Sequence, residues 1–152
     1  MMHTLQLIRV LRKSFTALIN ELTIEQLNTV PAGFTNNIAW NYGHIAIATE
    51  AIFYIRTGVQ PDRQIVFSEK YKNGSRPDAF IGREEIEQLK TLMNTLPDQV
   101  EQDYRQGLFS HISLCKFTTF ATEAANFEEL TQVILMHETL HYGYCKAIKR
   151  LV

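Results

Sequence analysis

Apolar residues recur at intervals of three and four along four stretches of the chain, and each stretch predicts an amphipathic helix. In the first, residues 4–22, the stripe is Leu5, Ile8, Leu11, Phe15, Leu18 and Leu22. The second is expected from Thr35 or Asn36 as N-cap to Gly58 as C-cap. The third begins near Arg83 and carries Ile86, Leu89, Leu92, Met93, Leu96, Val100 and Tyr104 on one side. Pro97 lies inside that stripe, where it removes a backbone donor and crowds the preceding turn. A kink or a restart is expected there, with Thr95 as a new N-cap. The fourth helix follows the cap-and-acid pair Asn126 and Glu129 and runs to about Arg150.

The connections read differently from one another. Thr23 and Gln26 have capping-box spacing, so a single helical turn is expected before the breakers Pro31 and Gly33. Residues 59–82 contain Pro61, Gly74, Pro77 and Gly82 and show no sustained period; Phe67 and Tyr71 favour a long crossover pinned to the helices. Residues 107–125 read as a loop with a Phe/Thr-rich, extended centre. Together these features predict an all-α fold: an up-down four-helix bundle with a long crossover between helices two and three, as one domain over residues 1–152.

Composition narrows the function classes. With 45% hydrophobic and 20% charged residues the 152-residue chain can bury a sizeable core, and a net charge of -1 offers no electrostatic footprint for nucleic acid. Arg9, Arg12 and Lys13 interrupt the first apolar stretch, and no run approaches the ~20 apolar residues that span a bilayer. Cys115 and Cys145 form no C-x-x-C pair. A cytoplasmic protein without nucleic-acid or membrane partners is expected.

One stretch changes the picture. On the fourth helix, the face centred on His141 holds Phe127, Leu130, Ile134, His137, Glu138, Tyr144, Cys145 and Ile148, so three polar groups sit on a core-facing stripe. Residues four apart rise roughly 6 Å on one side of a helix, which lets two ring nitrogens reach one ion at about 2.0 to 2.1 Å. Core histidines bonded to carbonyls or carboxylates are the other reading; the inward-facing pair with an acid beside it favours a divalent metal. His44 on the second helix also points into a mainly apolar surface, with Asn37, Trp40, Asn41, Ile47, Ala48, Ala51 and Ile55. It is the candidate third ligand, and Gly43 beside it suggests close packing or room left beside the site.

Rival layouts fail on spacing. His137-Glu138-x-x-His141 is the H-E-x-x-H pattern of zinc metalloproteases, but no His, Asp or Glu follows His141 to complete it. A di-iron bundle requires two Glu-x-x-His motifs, and only Glu138 to His141 supplies one. Cys145 is two turns, roughly 12 Å, from His137 and reads as a small core residue. His111 reads as an exposed loop residue and His3 as uninvolved.

Asn37-x-x-Trp40-x-x-x-His44-Ile45 and His137-Glu138-x-x-His141-x-Gly143 together resemble the DinB-like superfamily, as do the Leu-Asn-x-x-Pro turn and the Asn-Gly-Ser phrase of the crossover. The resemblance spans nearly the whole chain. It implies a four-helix bundle of DinB-like type, often dimeric, with a divalent metal held by His44, His137 and His141. It also implies thiol-dependent transferase or isomerase chemistry with a low-molecular-weight thiol.

The expected function is a divalent-metal-dependent enzyme, a thiol-dependent S-transferase or related transferase or hydrolase. Zn²⁺ or Ni²⁺ is the expected ion, with Fe²⁺ or Mn²⁺ as alternatives, and Glu138 is the candidate base or partner to the ligands. The substrate is a small molecule and the expected assembly a homodimer. The alternative is a non-catalytic metal- or small-molecule-binding module, in which the ion is a sensor or a structural pin. Trp40, Asn37 and Tyr144 are candidate pocket residues.

Overall fold

The first stripe forms α1, Met2–Asn20, in a computed structural model that describes residues 2–152. Thr23 then caps α2, Ile24–Asn28: its hydroxyl accepts from the Gln26 amide while the Gln26 side chain accepts from the Thr23 amide. Helix α3, Ile38–Ala51, starts one or two residues later than expected because Asn37, in extended backbone conformation, accepts the Trp40 amide at 2.7 Å. It continues directly into a π-helical turn, Ile52–Arg56, which the apolar pattern did not reveal. The long crossover contains one helical turn, α4, Ser68–Tyr71, and Tyr71 is fully buried.

Helix α5, Arg83–Arg105, runs straight through Pro97. The expected restart at Thr95 does not occur; the Thr95 hydroxyl bonds back to the Thr91 carbonyl instead. Pro97 leaves the Met93 carbonyl without its usual helical donor, and the Arg12 guanidinium fills that vacancy at 3.1 Å. A residue on another helix therefore repairs the local defect. The stretch read as a loop contains a small hairpin: β1, Cys115–Phe117, pairs antiparallel with β2, Thr122–Ala124, through a 3₁₀ turn at Thr118–Phe120. Helix α6, Phe127–Ile148, is capped by Asn126, whose side chain accepts from the Glu129 amide.

The chain is mostly helical with one two-stranded sheet. Helix α1 packs against α5 and α6, and α3 packs against the same two helices. Apart from Ala48 and Ala51 every residue of α3 is buried, so this helix meets solvent only along that narrow strip. Among the described residues no helix is long and apolar enough to cross a membrane.

The core divides into two apolar clusters. One contains Phe15, Leu18, Ile45, Met93, Cys145 and Ile148. The other contains Leu5, Ile8, Phe53, Val100, Leu130 and Ile134. On their own helices Arg12, Thr49, His137, Glu138 and His141 fall between the two sets. Polar side chains thus form a layer across the middle of the molecule, and burial of such groups requires partners.

Candidate metal centre

The layer begins with the cap of α3. Asn41, one turn beyond Asn37, donates its side-chain amide to the Asn37 carbonyl at 2.7 Å. That bond turns the Asn41 Oδ1 toward α6, where it lies 2.7 Å from Nδ1 of His141. An amide oxygen only accepts, so Nδ1 of His141 carries the proton and Nε2 keeps its lone pair.

His44 is oriented the same way. Its Nδ1 donates to the Tyr71 carbonyl at 2.7 Å, which leaves Nε2 as a lone pair, and its ring stacks on Trp40 with centroids 4.9 Å apart. Tyr71 is held in turn by its hydroxyl, which donates to Glu85 at 2.5 Å. Gly43 permits this arrangement, because a Cβ there would lie 2.4 to 2.7 Å from the Tyr71 ring. The Tyr71 ring of the crossover thus occupies the space on α3 that a side chain at position 43 would fill.

Nε2 of His137 lies 3.3 Å from Nε2 of His44, while Nδ1 of His137 is buried without a partner among the described residues. The three histidines offer ligand nitrogens that all lie within 4.8 Å of one another. Two nitrogens bound tetrahedrally to one ion at about 2.0 to 2.1 Å sit about 3.3 to 3.4 Å apart, so the His44 and His137 pair already has ligand spacing. The donor set fits a divalent metal: two neutral imidazoles are fixed with Nε2 inward by bonds at Nδ1, an arrangement common around metal ligands.

Burial, first of all, keeps these rings neutral. It pushes His141 down to about 3, with His137 and His44 adding to the effect, and His137 down to about 4, with His44 and Arg56 adding. His44 is lowered by burial against the opposing bond to Tyr71. The folded values lie below the ordinary 6.5 of the unfolded chain. Below about pH 6.5 the unfolded state therefore binds more protons, and the histidines' contribution to stability is full above that pH and declines as the pH falls toward the folded values. Urea unfolding of metal-free protein between about pH 6.5 and 5, above the usual carboxylate range, is expected to show a falling midpoint. A midpoint constant across that interval would contradict neutral burial of the three rings.

Glu138 points away from this cluster. Its Oε1 accepts from Arg12 Nη2 at 2.6 Å and from the Thr49 hydroxyl at 2.9 Å, and both its oxygens lie 3.1 Å from Arg12 Nε. Arg12 and Glu138 are 2% and 1% exposed, so the pair is closed to solvent. Glu138, the candidate base or partner to the ligands, forms an ion pair with Arg12 and accepts a bond from Thr49, and these tie α6 to α1 and α3. Its direction follows from helix geometry: one residue on from His137 is a rotation of about 100°, and α6 has buried neighbours on both sides.

The other expected residues divide. Trp40 stacks on His44 and donates Nε1 to Ser75, Asn37 caps α3, and the exposed Tyr144 packs on Phe34. His111 and His3 are exposed and lie outside the cluster. Cys145 is buried in the core, as read, and both cysteines are free. Asn41, Tyr71 and Arg12 were not read as parts of the site, although Arg12 and Glu138 each occupy a core position on their own stripe.

A cavity of about 600 Å³ opens onto His44 and His137 and extends along α3 to the hairpin. The family model for the DinB superfamily matches residues 7–145, a span that takes in all three histidines. No curated protein matches the chain.

Proposed function

The chain belongs to the DinB superfamily, and from that premise we propose that His44, His137 and His141 hold one divalent metal ion at the centre of an enzyme of thiol-dependent S-transfer or a related transfer or hydrolysis. The observation that carries this reading is the facing pair of Nε2 atoms at 3.3 Å, one fixed as a lone pair and the other on a ring whose remaining nitrogen has no partner among the described residues. Zn²⁺ or Ni²⁺ suits three imidazoles, with Fe²⁺ or Mn²⁺ as alternatives. When bound, such an ion lowers the pKa of a coordinated thiol or water and acts as a Lewis acid.

The protein's own residues hold the rings. Asn41 and the Tyr71 carbonyl keep two imidazoles in one tautomer, and the Arg12–Glu138 pair sets the position of α6 against α3. Three ligands leave a coordination position open, and the cavity beside His44 and His137 gives a small molecule access to it. That access favours the catalytic reading over a structural pin. Titrating Co²⁺-loaded protein with a low-molecular-weight thiol is expected to produce a near-ultraviolet thiolate-to-metal charge-transfer band. A Co²⁺-loaded protein whose spectrum ignores thiol, while exchanging water freely, would remove the thiol chemistry and leave hydrolysis.

The proposal includes an up-down four-helix bundle forming one domain over residues 1–152, acting in the cytoplasm. It also includes self-association. Met136, Leu140 and Tyr144 form an exposed stripe on α6 that carries no charge, so it does not repel its own copy in a two-fold contact. Sedimentation velocity is expected to give a dimer for the wild type and a monomer for Leu140→Glu. A monomeric wild type would remove this part.

A further inference from the structure

The cavity has a polarity that the three histidines do not explain. Its α3 wall is Ile47, Ala48, Ala51, Ile52 and Ile55, and the π-helical turn supplies the last two together with Arg56. A π turn rotates the side chains that follow it relative to a regular helix, and such turns are frequent at functional sites. At the end away from His44 the lining contains Arg56 and Lys116, while Lys72 follows Tyr71, whose carbonyl meets His44, and among the described residues no carboxylate lines the cavity. Arg56 is held there by stacking over Phe117 at 4.5 Å and by donating to the Lys116 carbonyl. The Lys116 ammonium forms no ion pair among the described residues, whereas Lys72 shares its charge with the exposed Glu69.

We infer that this cavity binds an organic anion with an apolar body. The anionic group lies at the rim between Arg56 and Lys116, and the apolar portion lies along Ile47, Ala51 and Ile55. The far end of the molecule then reaches His44 and His137. The inference rests on the proposed metal site for that orientation alone; the anion selectivity belongs to the rim. Cations at one end of a cavity without a lining carboxylate favour negative charge there, because the low-dielectric apolar wall focuses their field. The hairpin β1–β2 is accordingly a specificity element, since it brings Lys116 and Phe117 to the mouth.

Isothermal titration with octanoate and with its neutral counterpart octanamide tests this on the full chain, both as purified and after chelation. Octanoate is expected to bind roughly tenfold more tightly than octanamide, with its affinity falling as salt rises. A Lys116→Gln variant is expected to lose most of that roughly tenfold preference while octanamide binding and the melting temperature are unchanged. Ala51→Phe, which fills the apolar wall, is expected to weaken both ligands. Equal affinity for the two ligands, or no binding of either, overturns the inference. Loss of octanoate binding on chelation also overturns it, because the ion and not the rim would then hold the carboxylate; that result leaves the metal site standing. A protein that takes up no metal yet keeps the rim-dependent preference supports the inference while removing the metal site.

Discussion

Arg12→Met is expected to destabilise the protein by about 3 to 5 kcal/mol, the cost of leaving one partner of a buried ion pair alone. Glu138 is 1% exposed, and without Arg12 its carboxylate keeps only the Thr49 hydroxyl. The same change removes the donor that satisfies the Met93 carbonyl, so Pro97 would again leave an orphaned acceptor in a buried helix. For a domain of this size about 1 kcal/mol shifts the melting temperature by roughly 2 to 4 °C, so the expected fall is roughly 6 to 20 °C. Urea unfolding of metal-free protein measures it. The double variant Arg12→Met/Glu138→Leu is expected to recover most of the loss, because an apolar pair of similar volume avoids the desolvation of both charges. If the single variant were as stable as the wild type, the polar layer would not be closed to water.

Gly43→Ala is expected to destabilise the protein by about 1 to 3 kcal/mol, a sign opposite to helix propensity, which favours Ala over Gly by up to about 1 kcal/mol. The added Cβ would lie 2.4 Å from the nearest Tyr71 ring atom. Tyr71 is fully buried and tied to Glu85, so the ring cannot simply swing into solvent. Whatever movement relieves the clash also shifts the Tyr71 carbonyl that orients His44. Weaker metal binding should therefore accompany the lower stability, and competition with a coloured chelator would read it. A variant that is more stable by about 1 kcal/mol would mean that the crossover does not press on α3.

The site was legible in the chain where it depended on spacing. His137 and His141 one turn apart on an apolar stripe, and His44 on another, are periodicity arguments, and the three rings do meet. The caps Thr23 and Asn126 were legible for the same reason: each is a local pattern with a local cause. Tertiary partners were not legible. Pro97 predicts a break on local grounds, and only the Arg12 guanidinium from another helix removes the reason for one. Glu138 lies on the same broad stripe as the histidines, but the roughly 100° step from His137 aims it at α1 and Thr49, and periodicity cannot say which buried side holds the cation. In α3 burial on nearly every side erases the amphipathic pattern, so neither Asn41 as the support of His141 nor the π turn beyond Ala51 could be read from it. The hairpin consists of two three-residue strands, too short for an alternating pattern to declare itself.

The most direct measurement of the central claim is elemental mass spectrometry on tag-free protein, with His141→Ala alongside. The account gives about one ion per chain in the wild type and loss of that ion in the variant, which removes one of three ligands. Wild-type protein that retains no ion after exposure to Zn²⁺, Ni²⁺, Mn²⁺ and Fe²⁺ would contradict it.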